Sequence, residues 1–196
     1  MRATIVKALG AAVFSVLVSL PLSAAPGGAA APAAAPAAAP VSAAYERWPN
    51  ALGVFGSSLA GNPGAGLQLV AGFGRFALQA TAGGIYSPKA TFGSILDFSA
   101  TAELQYRVFG ADAGEWFSGQ LYLWGLGGTV GYIRLSDDAI PVAGPLIVDA
   151  VAGFGIGIEF IVFDHFSLPL EVGYIGQFPN DKLLGFSFGS GLRYRY

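Results

Sequence analysis

The sequence predicts an all-β protein, an eight-stranded antiparallel up-and-down β-barrel that spans a membrane. Three observations predict it. Hydrophobic residues make up 54% of the chain and charged residues only 11%, whereas a soluble globular domain carries about 25% charge. Nothing after residue 25 is a continuous apolar run long enough for a spanning helix. The apolar residues are instead spread through alternating segments broken by 29 glycines, which suits strands crossing a bilayer. Finally, those segments set an apolar face against a face of small and charged residues, and the closing one ends on aromatics.

The N-terminus reads as a targeting segment. Residues 1–24 form a secretory signal peptide, with Arg2 and Lys7 as its basic start, Ala8–Leu20 as its apolar stretch and small residues at 23–25 for cleavage. Residues 25–44 are Ala/Pro-rich, and prolines this frequent keep alanines out of a helix. They are expected to form a disordered periplasmic leader, and residues 45–196 the barrel. Without Arg2 and Lys7 the chain carries a formal charge of −4 and no basic run. Nucleic acid is therefore not an expected partner. The absence of cysteine excludes a disulfide scaffold and a thiolate metal site.

Turn signals cut the barrel region into eight candidate strands, roughly 51–60, 65–73, 75–86, 94–109, 116–134, 145–163, 165–178 and 183–196. The first has no decisive alternation. The third sets Phe76, Leu78, Ala80 and Ala82 against Arg75, Gln79, Thr81 and Gly83. The fourth alternates most clearly: Leu96, Phe98, Leu104 and Tyr106 oppose Asp97, Thr101, Glu103 and Arg107. The sixth sets Phe154, Ile156, Ile158 and Phe160 against Gly153, Gly155, Gly157 and Glu159, and the seventh sets Leu168, Leu170 and Val172 against Ser167, Glu171 and Gly173. The eighth carries Phe186, Phe188, Leu192, Tyr194 and Tyr196 on one face and Ser187, Gly189, Arg193 and Arg195 on the other.

A period of two makes each of these a strand. Their polar faces are too bare for a solvated surface. A charge turned into lipid near the midplane costs about 2–4 kcal/mol. The expected register is apolar outward, polar inward. The fifth segment is aromatic or apolar on both faces; Trp116, Tyr122, Trp124 and Tyr132 are expected to face lipid.

Links near 73–75, 110–115 and 163–165 alternate with those at 61–64, 87–93, 135–144 and 179–182. An even strand number puts both chain ends, and the first set, on one side. Aromatics gather at the segment ends as two belts. Trp48, Phe73, Phe76, Phe109, Trp116, Phe163, Phe166, Tyr194 and Tyr196 mark one, and Tyr86, Tyr132, Tyr174 and Phe178 the other.

Strand number, topology, signal peptide and aromatic closing strand resemble the small eight-stranded outer-membrane barrels, the group of the OmpA transmembrane domain, OmpX and OmpW. The resemblance covers about residues 48–196. It implies an outer-membrane location with both termini periplasmic, outer-membrane lipid as solvent, and a monomer. It also implies biogenesis through periplasmic chaperones and the barrel-assembly machinery, which reads the closing strand; here the matching positions are Phe188, Leu192, Tyr194 and Tyr196. A C-terminal peptidoglycan-binding domain like that of OmpA is not expected, and the outer links are short.

Inside the expected barrel, Glu103, Arg107, Glu159, Glu171 and Arg193 fall at comparable depth on four strands, with Arg195 and Arg75 nearer the rim. Such charges persist at membrane depth only when paired or wet. They define an interior charged layer, the expected site. Above it Thr81, Thr101, Gly153, Gly155, Gly157, Gly173 and Gly189 form a level of small residues, joined by Gly125 and Gly127 if the fifth strand turns them inward. This level reads either as a water-holding cavity above a salt-bridged constriction, or as glycine making room for curvature and long side chains. The single histidine, His165, lies in a turn beside Asp164, and Asp137-Asp138 in an outer link are only two carboxylates. Neither makes a catalytic or metal site, and no cofactor is expected. Two functions follow: a structural or stress-type barrel with a filled, salt-bridged interior, or a narrow channel for small, apolar solutes of the OmpW kind. A lipid-modifying enzyme fits poorly.

Overall fold

The computed structural model describes residues 41–59, 62–89, 93–114, 116–135, 143–179 and 185–196. Eight strands close into one barrel: β1 (Ala51–Leu59), β2 (Asn62–Phe73), β3 (Phe76–Lys89), β4 (Gly93–Asp112), β5 (Phe117–Leu135), β6 (Ala143–Val162), β7 (Phe166–Phe178) and β8 (Gly185–Arg195). Each pairs antiparallel with the next. β8 returns to β1, with Ala51 opposite Arg195 and Leu59 opposite Ser187. Asn50 and Tyr196 thus share one end of the barrel, hereafter the terminal end, where the Tyr196 amide donates to the Asn50 carbonyl at 3.0 Å.

The faces are inverted relative to a protein folded in water. Arg107, Arg193, Arg195, Glu159 and a set of glutamines are buried, while Leu67, Leu69, Phe154 and Phe188 are among the most exposed side chains, with Phe186 at 77%. Water outside would leave the apolar exterior unburied and strip charges of solvent for no gain. A hydrocarbon exterior reverses both terms. The outward apolar faces of β3, β4, β6, β7 and β8 match the sequence register wherever their side chains are described.

Three local features depart from the sequence reading. β2 begins at Asn62, because Pro63 and Gly64, which look like a turn, pair with Ser58 and Ser57. β4 continues past Phe109 to Asp112 through a register shift between Arg107 and Phe109. The extra residue, Val108, lets Arg107 point inward and Phe109 still reach lipid. β5 faces the other way. Tyr122, Trp124 and Tyr132 are inside, at 0, 5 and 1% exposure, while Phe117 and Leu123 face lipid at 41 and 50%. The expectation of a lipid-facing position is therefore corrected for Tyr122, Trp124 and Tyr132, while Trp116 is exposed as expected, and Tyr132 leaves the outer belt.

The belt at the terminal end is continuous in pairs: Phe73 on Phe76, Phe76 on Tyr106, Trp116 on Phe163, and Phe166 edge-on to Tyr194, with ring centroids 5.2–6.2 Å apart. Trp48 is instead half-buried at the mouth and packs on His165 at 4.7 Å. Two turns at this end use left-handed backbone. Gly74 has φ 62°, which glycine adopts at little cost. Phe163 and Asp164, at φ 52° and 63°, do not have that freedom. The Phe163 amide donates to the Trp116 carbonyl at 2.9 Å, and Asp164 accepts from Arg47 at 2.8 Å.

Arg47 belongs to a short helix, α1 (Ala43–Arg47), lying in the mouth of the barrel. Ser42 is its N-cap, with Oγ accepting from the Tyr45 amide at 3.4 Å. Ala44 and Tyr45 join Ala51, Val70, Ala77 and Ile161 in an apolar cluster, with Val41 against it. The last residues of the Ala/Pro-rich leader, Val41–Ala44, are therefore part of the folded unit. The signal peptide, residues 25–40 of the leader, and Asp137 and Asp138 lie outside the described residues.

Candidate functional site in the barrel interior

Three levels of side chains fill the barrel, starting from the terminal end. The first is α1. Its Tyr45 ring lies 3.7 Å from the Arg107 guanidinium carbon and 4.9 Å from that of Arg195, and its hydroxyl donates to the Phe76 carbonyl at 3.2 Å. The Ser42 hydroxyl donates to Gln120 Oε1 at 3.1 Å, and the Ala43 amide to Asp112 at 3.1 Å. Gly72 and Gly110 make the docking possible: a Cβ at either position would run into Tyr45 or the Ser42 backbone.

The second level is the charged layer. Glu159 is its hub, within 2.6 Å of Arg195, 3.0 Å of Arg193 and 3.8 Å of Arg107, all four with fully buried side chains. Arg193 reaches Glu171 at 3.5 Å, and donates to Gln79 Oε1 at 2.6 Å and to Gln68 Oε1. Glu171 also accepts from the Tyr122 hydroxyl at 2.7 Å. On the β3–β4 side Gln105 donates to Gln79 at 3.1 Å and to Glu103 at 2.6 Å, and accepts from Arg107 at 3.3 Å.

The five sequence-chosen residues are thus gathered, with one exception in pairing. Among the described residues no ion pair reaches Glu103, whose carboxylate is held by a glutamine. Arg195, placed near the rim from the sequence, is a full member of the layer. Three acids face three bases, so the formal imbalance of the original five is removed. Arg195 also donates to the Trp48 carbonyl at 2.9 Å, which ties the layer to the mouth. Gln79 was placed on an inward face from the sequence, but nothing in the sequence marked it, Gln68 or Gln105 as bridges.

The third level decides between the two readings of the small-residue level in favour of glycine making room, here for aromatic rings. Trp124 packs onto Gly155 and Gly173, Tyr122 onto Gly157 and Phe55 onto Gly189, each ring lying where a Cβ would be. Gly125 and Gly127 face outward. The glycines make room for aromatic rings from other strands, and the space left above the layer is about 70 Å³, bounded by Phe55, Thr81, Thr101, Glu103 and Trp124.

His165 sits in the β6–β7 turn. Its Nδ1 lies 2.9 Å from the Arg195 carbonyl and its ring stacks on Tyr194 at 5.4 Å. The closing-strand residues Phe188, Leu192, Tyr194 and Tyr196 are all exposed on the lipid side.

No family model matches the chain, and no curated protein matches it. Among solved structures it is similar to the N-terminal β-barrel domain of OprF from Pseudomonas aeruginosa, at 13% identity and a TM-score of 0.49 over 75% of this chain and 96% of that one. It is also similar to Neisserial surface protein A, at 12% identity and a TM-score of 0.48 over 75% and 94%. A third is Ail, the attachment invasion locus protein of Yersinia pestis, at 14% identity and a TM-score of 0.43 over 75% and 96%. By its closed order of eight antiparallel strands, its apolar exterior and its charged, side-chain-filled interior, this chain is a transmembrane β-barrel that resembles the small eight-stranded outer-membrane barrels.

Proposed function

We propose that the chain is an integral outer-membrane protein of the structural or stress type, closed along its axis and acting through its surface. The filled interior carries this reading. Tyr45, the Arg–Glu layer and the aromatic rings of Tyr122, Trp124 and Phe55 block the axis at three successive depths. Eight strands enclose a lumen that side chains just fill, and here they leave a space of about 70 Å³ above the layer. An apolar solute of the kind a narrow channel would pass does not fit that space. Nor is the protein an enzyme in this reading: His165 lies in a turn packed against Trp48 and Tyr194.

In the same reading the terminal end faces the periplasm. The short β2–β3 and β6–β7 turns and the docked α1 lie there, and the longer β5–β6 connection lies at the other end. The protein is a monomer in outer-membrane lipid. Periplasmic chaperones carry it, and the barrel-assembly machinery recognises β8 through its lipid-facing Phe188, Leu192, Tyr194 and Tyr196. Single-channel recording on purified, refolded protein in planar bilayers tests the closed axis: no discrete steps are expected, and reproducible steps of one size would replace this reading with the channel. A cysteine at Asn62 in this cysteine-free chain should react with a membrane-impermeant thiol reagent on intact cells and one at Ala113 should not. The opposite pattern would invert the orientation.

A further inference from the structure

The mouth of the barrel has a charge pattern that the closed axis does not require. Arg107 and Arg195 are fully buried, and the only acid within ion-pair reach of either, among the described residues, is Glu159, which Arg193 also uses. Among the described residues the Nε–H groups of both Arg107 and Arg195 have no hydrogen-bond partner. Buried guanidinium donors are ordinarily satisfied, because the desolvation of an unmet charged donor is costly. Glu159 Oε2 is shared by the two guanidiniums, and the Tyr45 ring packs against both, at 3.7 and 4.9 Å from their carbons.

An aromatic face attracts cations through its quadrupole, so the ring occupies the place of a second anion. Those distances bracket about 4 Å, the separation at which the central atom of an oxyanion lies from a guanidinium carbon when N–O contacts are about 2.8 Å. Tyr45 itself is packed in the apolar cluster and its hydroxyl donates to the Phe76 carbonyl, but the helix that carries it is short and weakly tied on its outer side. α1 has five residues, its Ala43, Glu46 and Arg47 are exposed, and its outer tie is the solvent-exposed pair Arg47–Asp164. Such surface pairs contribute little.

We propose that the mouth is an oxyanion socket held shut by its own plug. With α1 docked, the Tyr45 ring covers the guanidiniums of both Arg107 and Arg195. With α1 withdrawn, the two arginines take a small oxyanion (phosphate, sulfate or carboxylate) from the solution at the terminal end. Lipid headgroups do not compete, because both guanidiniums point into the ring of strands. Plug and anion exclude one another, so each anion bound favours the withdrawn state by mass action.

The test uses the full chain with Ala44→Cys, a buried position on the plug, refolded in detergent. The rate of thiol modification is measured in sodium phosphate and in sodium chloride of equal ionic strength. Modification should be slow in chloride and accelerate with phosphate, by about 100-fold at a concentration 100 times the dissociation constant. Arg195→Gln in the same background should abolish the phosphate dependence. In parallel, Tyr45→Ala should melt lower than the parent and recover several degrees in phosphate but not in chloride, while Tyr45→Phe, which keeps the ring, should show no phosphate-specific shift. Equal modification rates in the two salts overturn the socket, as does an acceleration that survives Arg195→Gln. If Tyr45→Ala does not refold, the cysteine rates decide alone. Conductance steps from the wild-type protein would refute the closed axis and leave the socket standing, so the two failures are separable.

Discussion

Arg193→Ala is the sharpest test of the interior. The arginine is fully buried and bridges β8 to four other strands: it pairs with Glu159 at 3.0 Å and Glu171 at 3.5 Å, and donates to Gln79 at 2.6 Å and to Gln68. Truncation does not strand these partners equally. Glu159 keeps Arg195 at 2.6 Å and Arg107 at 3.8 Å. Glu171 keeps only the Tyr122 hydroxyl at 2.7 Å, so it becomes the uncompensated charge. Removing one partner of a buried pair costs about 3–5 kcal/mol; Gln79 Oε1 keeps Gln105 as a donor at 3.1 Å, and Gln68 Oε1, which loses its donor, adds about 1 kcal/mol. The small space above the layer lets water reach Glu171 and offsets part of this, leaving about 4 kcal/mol. With a urea slope of about 2 kcal/mol/M, the midpoint of unfolding should fall by about 2 M. Tryptophan fluorescence of protein refolded in lipid vesicles reads that shift, and the heat-modifiable band on a cold gel should disappear at a lower temperature. Glu171→Gln, which keeps the volume and a donor–acceptor amide, should shift the midpoint in the same direction by less than half as much. Bilayer recordings of Arg193→Ala should remain without steps, because Tyr45 below and Tyr122 and Trp124 above still block the axis. A midpoint shift below about 0.5 M would mean that the charges are separately hydrated and that the layer is no lock.

Two further outcomes follow from particular contacts. Gly157→Ala should destabilise the barrel by pushing the Tyr122 ring off its seat and breaking its bond to Glu171; adding Tyr122→Leu should restore most of the loss, giving a coupling energy above about 1 kcal/mol in a double-mutant urea cycle, and simple additivity would show that the ring does not depend on the glycine. Deleting Tyr196, or replacing Tyr194 and Tyr196 with serine, should leave the protein in the periplasm as a protease-sensitive species, read by fractionation and by loss of the heat-modifiable form. Normal insertion of the deletion would show that recognition of the closing strand lies elsewhere.

The barrel itself was legible in the sequence because a strand's faces alternate with a fixed period of two. In β3, β4, β6, β7 and β8 one face is apolar and the other is not, so register and solvent follow together. The depth of Glu103, Arg107, Glu159, Glu171 and Arg193 followed by counting residues from the strand ends. Counting has no information about reach, and there the sequence failed for Arg195. Its backbone is at the rim, but its long side chain extends inward to Glu159 and back to the Trp48 carbonyl.

β5 was undecidable from its own residues, since both faces are aromatic or apolar and either could meet lipid. Its facing is decided by β6 and β7, whose Gly155, Gly157 and Gly173 leave notches that only Tyr122 and Trp124 fill. A glycine read along its own strand marks empty space; only the neighbouring strands say what occupies it. The same holds for α1. The sequence reading placed Ser42–Ala44 in a disordered leader, and a five-residue helix has little stability of its own. It forms because the closed barrel presents two buried guanidiniums and two glycine gaps, at Gly72 and Gly110, to Tyr45 and the Ser42 backbone. Alternation along one strand is a local property written in order. The plug, the aromatic level and the place of Arg195 depend on residues far apart in sequence that meet only once the sheet has closed.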